Sequence, residues 1–380
     1  MKTFGWKELT CIQLGGVLSL PLVMVGFTVG KIAPGLAGMA LCVMGNGLLA
    51  LFALISAPRI IAKRSVTSQN VEAFLGSSGK KILALFLALS MLFWFAIQTQ
   101  VVVSGVLPSS LFFGCCLYGG GCALSLSSIY SIERYAKIVA PLMALFLAAA
   151  LFHGGAIAPS VVNFSSFGKA LSVIVGGSIL AVIDLPTFFK EAHDVGAIKK
   201  TIVATFLVAM PLVECCGVAL ACKTQDVVSA LSDSVFGRGV LIFLGVSGWM
   251  TNIANLYSAA KSIEVMNVCK GRCAYALAAC IGIAFTLFPL VEYFADLITF
   301  LAMAGCAFGG LLLAEDCLGN KMPSKHVCWA ILGIGLCVGV CNISSQKAFF
   351  GISILDVFAV VFFLAMLGSA FRRREIHEPT

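Results

Sequence analysis

Residues 249–258 read Trp249-Met250-Thr251-Asn252-Ile253-Ala254-Asn255-Leu256-Tyr257-Ser258, placing a hydroxyl and two carboxamides within five positions of an otherwise apolar run. Lipid offers polar groups no partners, so such side chains face a bundle interior or a polar cavity. Two chemistries fit them: holding a small polar ligand, or hydrogen-bonding neighbouring helices, as Ser, Thr and Asn do in membrane bundles. Reaction chemistry has no comparable signal. The four histidines (His153, His193, His326, His377) are scattered, and the sixteen cysteines form no zinc-type array with them. Cysteine is by default a small buried hydrophobe, so Cys42, Cys115, Cys116, Cys215, Cys216, Cys337 and Cys341 read as core. No nucleophile–base pair stands in the apolar runs, and an enzyme is not expected.

The elements that position these residues follow from composition. The chain has 380 residues, 60% hydrophobic and only 11% charged, with a mean hydropathy of +1.04; a soluble domain carries about 25% charged residues. Spanning helices need about 20 apolar residues each. An all-α membrane protein of about twelve spans is expected, at 10–31, 34–57, 82–106, 109–129, 138–157, 168–188, 199–222, 239–262, 273–291, 294–314, 326–343 and 351–371. The first follows Lys2 and Lys7 but is longer than a signal-peptide core and lacks a small-residue cleavage site, so it reads as retained.

Two spans carry helix-breaking residues in corresponding places. The first holds Gly15-Gly16-Val17-Leu18-Ser19-Leu20-Pro21, and the sixth holds Gly176-Gly177-Ser178-Ile179 and then Asp184-Leu185-Pro186. Glycine eases unwinding, and proline removes a backbone donor. Interrupted helices five spans apart point to an inverted-repeat transporter. One transporter domain over 1–380 is expected, with repeats at about 10–157 and 168–314 and two appended helices at about 326–371.

Basic residues set the expected orientation. With both termini inside, 20 of the 25 lysines and arginines fall on the cytoplasmic side, leaving Lys31, Lys169, Lys223, Arg238 and Lys347 outside. That bias is what the positive-inside rule asks for. It accounts for the net charge of +8 without nucleic acid. A multi-pass protein of a cell membrane, such as a bacterial inner membrane, is expected, with lipid as its surroundings.

The run Thr251-Asn252 through Leu256-Tyr257-Ser258-Ala259, preceded by Trp249, resembles the eighth helix of the cytosine permeases, members of the nucleobase:cation symporter-1 family with the hydantoin, allantoin and uracil permeases. Gly45-Asn46-Gly47-Leu48-Leu49 resembles the family's second helix, Phe93-Trp94-Phe95 its third and Ala140-Pro141-Leu142-Met143 its fifth. Val175-Gly176-Gly177-Ser178, with Asp184 and Phe188, resembles the sixth. The resemblance covers most of the first ten spans. It implies the LeuT-like fold of five-plus-five inverted repeats, with helices 1 and 6 broken, and one planar heterocycle bound near the midplane.

The same resemblance implies a substrate shell of Trp94, Gln98, Gly177, Ser178, Asn252, Asn255, Ser19 and Ser247. Trp94 would be a stacking platform, worth about 1–3 kcal/mol per base. Gln98 lies one turn on along the same face, and its carboxamide can donate and accept at once. Asn252 is expected ahead of Asn255 as a direct contact. Ile179 stands where the cytosine permeases close the sandwich with an aromatic ring. Sodium would be held by the Gly15 and Leu18 carbonyls and Thr251, with Met250 where a second hydroxyl is expected; a hard cation wants oxygen, not a thioether. The rival coupling ion is a proton, with Asp184 and Glu214 as its candidate carriers.

These readings lead to a symporter that imports a nucleobase such as cytosine, or a related heterocycle, by alternating access, coupled to sodium or protons and using no other cofactor. An amino-acid transporter of the same fold and a non-transporting membrane sensor are the alternatives. The oligomeric state is not legible in the sequence.

Overall fold

The computed structural model describes residues 3–106, 110–126, 128–152, 164–222, 239–345 and 353–377. The ends of the expected fourth and fifth spans and the start of the twelfth fall partly outside them. Among these residues the chain is helical, with one isolated bridge pairing Phe4 and Ala192. In order the helices are α1 (Trp6–Val17), α2 (Leu20–Ile32), α3 (Gly35–Lys63), α4 (Thr67–Asn70), α5 (Glu72–Val106), α6 (Leu111–Ser125), α7 (Ile129–Phe152) and α8 (Phe164–Ile183). They continue as α9 (Leu185–Phe189), α10 (Val195–Ile202), α11 (Met210–Ala221), α12 (Gly239–Val265), α13 (Arg272–Phe285), α14 (Phe294–Leu318), α15 (Lys325–Ser345) and α16 (Ser353–His377). Each of the twelve expected spans contains one of these helices or a broken pair. Among the described residues six helices are long and apolar enough to cross a membrane, or up to eight if each of two bent pairs is one span. The ninth is shorter than expected, because α13 stops at Phe285 and a string of turns follows.

The first span is broken as expected. Ser19 is extended (φ −137°, ψ 156°) between α1 and α2, which bend by 61°. Pro21 sits in the first turn of α2, where a missing N–H costs nothing. The sixth span needs a correction. The helix runs unbroken through Gly176, Gly177 and Ser178, and the interruption falls at Asp184 (φ −88°, ψ 2°), just before Pro186 in the first turn of α9. In both spans the proline, not the glycine pair, marks where the helix restarts. The glycines serve packing: a Cβ on Gly177 would stand 2.8 Å from Val25, and one on Gly176 2.7 Å from Ala302. Between α10 and α11 the chain widens into a π-helical stretch, Val203–Ala209, ahead of Pro211. The wider turn suits a site where proline cannot close the ordinary bond.

The helices pack as two groups. In one, α2, α3, α8 and α11 lie together. Here α2 and α11 meet backbone to backbone: a Cβ on Gly26 would fall 2.0 Å from the Glu214 carbonyl oxygen, and one on Gly217 2.2 Å from that of Val23. Small residues permit such crossings where no hydrophobic force drives helices together. In the other group α5, α6, α12 and α13 lie together, with Gly119 and Gly282 both receiving Phe95. Arg59 of α3 binds Glu315 and Asp316 of α14, pinning those helix ends. The outward face of α3 leaves Leu36, Val43 and Leu51 exposed while its Asn46 and Leu49 are buried, an inverted polarity that a lipid surrounding explains. Cys337 and Cys341, expected in the core, lie on the exposed face of α15; cysteine is apolar enough to face lipid as readily as protein.

Candidate functional site

A cavity of about 150 Å³ lies at the seam between the two groups. The first group supplies Ser19 at the start of α2, with Gly177, Ser178 and Asp184 from α8 and its end, and α1 adds Gly16. The second supplies Trp94 and Gln98 from α5, with Thr251 and Asn255 from α12. Among the further lining residues that sequence reasoning passed over are Gln13, Met91 and Met210. Their signal is weak, since a lone Gln near a helix start or a Met in an apolar run looks like ordinary packing.

The polar lining is under-satisfied. Gln98 Nε2 and Oε1, Ser178 Oγ and Asn255 Nδ2 are buried and have no hydrogen-bond partner among the described residues. Each such atom costs about 1–3 kcal/mol when left unpaired. Concentrating these atoms around one cavity beside an indole therefore points to a ligand that completes them. Gly16 also opens onto free space, with no atom within 4 Å of where a Cβ would stand. Among the described residues the lining holds no lysine, arginine or histidine, and Asp184 is its one ionisable side chain.

Both helix interruptions dock on one face of α12. Thr251, Asn255 and Ser258 follow at i, i+4 and i+7, the spacing of a single stripe. At the first break the Ser19 N–H turns to the Val17 carbonyl (2.7 Å) instead of closing the helix on Gly15. The freed Gly15 carbonyl accepts from Thr251 Oγ1 at 3.2 Å, and that hydroxyl lies equally close to the Ser247 carbonyl. At the second break the Asp184 carboxylate accepts from Ser258 Oγ (2.5 Å) and from Thr187 Oγ1 (2.6 Å). Just beyond, Phe188 meets Tyr257 at 5.7 Å between ring centroids. The Asp184 end of the cavity is therefore closed by one polar and one aromatic contact across the seam.

Several expected site residues stand elsewhere. Asn252, ranked ahead of Asn255, does not line the cavity; its Nδ2 donates to Thr99 Oγ1 at 2.9 Å and ties α12 to α5. Ser247 is buried behind Thr251. Leu18 is buried at the break, and Met250 packs its Cγ and Cε against Gly15 as a core side chain. Gly177 lines the cavity, but inside a continuous helix it does not present the unwound backbone expected of it. Glu214 lies away from the cavity between α2, α3 and α11, where Oε2 accepts from Asn46 Nδ2 at 2.6 Å and Oε1 has no partner among the described residues. A hard cation at the first break would find two oxygens in place, Gly15 O and Thr251 Oγ1, so the set fits sodium in part.

No protein-family model and no curated protein matches the chain. Solved structures do. Mhp1, a nucleobase-cation-symport-1 family transporter in a closed conformation with bromovinylhydantoin bound, is similar at a TM-score of 0.76 and 15% identity, covering 98% of this chain and 94% of that one. The inward-facing conformation of Mhp1 gives 0.71 at 14%, covering 98% and 93%. The substrate-bound outward-open state of a Na⁺-coupled sialic acid symporter gives 0.71 at 10%, covering 97% and 90%. The fold is thus the five-plus-five inverted-repeat, LeuT-like architecture.

Proposed function

We propose that this chain is a secondary transporter that carries a small, planar, uncharged heterocycle of the nucleobase class across a cell membrane, with both termini cytoplasmic. The observation that carries the reading is the cavity itself: unpaired donors and acceptors on Gln98, Ser178 and Asn255 beside the Trp94 indole. A heterocycle with mixed donor and acceptor edges would satisfy those atoms while its face stacks on the ring. Micromolar affinity needs about −8 kcal/mol, and stacking supplies about 1–3 kcal/mol of it. An amino-acid or acidic-sugar substrate is disfavoured, because the lining offers a carboxylate no basic side chain and places Asp184 against it.

The coupling ion in this reading is sodium at the first break, held by the Gly15 carbonyl and the Thr251 hydroxyl, with the Leu18 carbonyl as the third ligand that the family resemblance implies. A proton carried on Asp184 is the second reading, favoured by its place as the one ionisable group on the cavity wall. Glu214, with Asn46 as its bonded partner, is the further proton candidate.

Titration of the purified chain with pyrimidines, purines and hydantoins tests the substrate class. Trp94→Ala is expected to weaken binding about tenfold or more, equivalent to about 1.4 kcal/mol. Gly16→Leu is expected to fold, since the added side chain enters open space, yet to abolish binding by filling the cavity. Unchanged affinity in both variants would remove the cavity from the transport path.

A further inference from the structure

Beyond the closed end of the substrate cavity, the same seam holds a second, polar cavity of about 180 Å³, several times the roughly 30 Å³ that one water occupies in the liquid. Its ionisable lining is Arg64, Lys190, Lys261 and Glu264, three basic groups against one acidic. Arg64 and Lys190 belong to the first helix group, and Arg64 fixes the chain there by donating to the Lys190 and Ala192 carbonyls at 3.2 and 3.1 Å. Lys261 and Glu264 belong to α12 in the second group.

Glu264 is already engaged, accepting from Lys261 Nζ at 2.8 Å and from the Gly271 N–H at 3.0 Å. The Lys261 ammonium also stands 5.7 Å from the centroids of both Tyr257 and Tyr275. Lys190 Nζ, by contrast, makes no hydrogen bond or ion pair among the described residues. Burial, and then the Lys261 charge, push its pKa below the ordinary lysine range, and Glu191, Glu264 and Asp184 offset this only in part. Closing the seam at this end therefore sets two lysines from opposite helix groups around one polar space.

We propose that the cavity bounded by Arg64, Lys190 and Lys261 binds a phosphate-bearing anion, which bridges the two helix groups and stabilises the closed seam. Phosphate oxygens suit both the guanidinium fork and the ammonium groups. The anion is either free phosphate or the phosphate of a lipid headgroup. The site is separate from the substrate cavity, and its test does not depend on transport.

Acylation of the full-length wild-type chain in detergent, read by mass spectrometry, measures access to Lys190, with exposed Lys199 as the internal control. Inorganic phosphate at ten times its dissociation constant is expected to slow Lys190 modification about tenfold, with chloride at matched ionic strength having no such effect. If phosphate does nothing but nanodiscs containing phosphatidylglycerol protect Lys190 relative to phosphatidylcholine alone, the source is the lipid headgroup. Phosphate should also raise the thermal midpoint of the wild-type chain and of Lys190→Arg, but not of Lys190→Gln. The inference is overturned by protection in neither arm, by equal protection of Lys199 or by chloride, or by a Lys190→Gln shift as large as that of the wild type. Should Lys190→Gln fail to fold, the wild-type labelling decides alone.

Discussion

The two interrupted spans face the same helix and solve the same problem with different chemistry. At the α1–α2 break the backbone itself turns away, bending by 61°, and a freed carbonyl of Gly15 receives Thr251. At the α8–α9 break a single residue leaves the helix and its side chain, the Asp184 carboxylate, receives Ser258. The first contact is one shared hydroxyl proton on a neutral acceptor; the second is a pair of hydroxyls on one carboxyl group. The difference teaches that a break in a membrane helix is defined by what satisfies the exposed groups. Counting glycines does not locate it: Gly15 and Gly16 precede a real break, whereas Gly176 and Gly177 sit in an intact helix.

The sharpest way to break the comparison is at Asp184. Asp184→Ala leaves Ser258 and Thr187 without their acceptor, and two hydrogen bonds at about 1.5 kcal/mol each make an expected loss of about 3 kcal/mol. Thermal unfolding in detergent should register it, and transport should fail. Asp184→Asn keeps an acceptor and should recover most of the stability. If Asp184→Asn still transports against a gradient, the carboxyl closes the seam without carrying a proton.

Thr251→Ala probes the backbone-based break and should cost less, about 1 kcal/mol for one hydrogen bond to a neutral acceptor. Its diagnostic readout is different in kind: any stabilisation of the wild-type chain by sodium over potassium should disappear in the variant. A sodium response that survives Thr251→Ala would place the cation away from Gly15.

Gly177→Ala should have the smallest effect, below about 1 kcal/mol, because the added methyl needs only a small shift of the Val25 side chain and alanine favours the helix. Pairing it with Val25→Ala makes a double-mutant cycle. Positive coupling between the two, with the double variant recovering the loss, fits a packing glycine. Additive effects would instead argue that Gly177 matters for its backbone.

Much of this was legible in residue order. The membrane class and the twelve helical segments follow from apolar runs, since burial in lipid depends on hydrophobicity summed over a window and not on distant neighbours. The polar stripe on α12 was visible too, because its spacing is a property of one helix. Which residues of that stripe reach the cavity was not. Asn252 and Asn255 differ by about 60° around the helix axis, from the 3.6-residue turn, and only the position of α5 turns the first toward Thr99 and leaves the second on the cavity wall. The sequence placed Asp184 in the sixth expected span and Glu214 in the seventh without saying what either meets. Tertiary packing assigned the first to the seam beside Ser258 and the second to Asn46, away from the cavity. Local order thus determined the helices and their polar faces, through periodicity and the absence of partners in lipid. The pairing of faces across the seam, which makes the cavity and its closed end, depends on contacts between segments far apart in the chain, so it was decided by the fold alone.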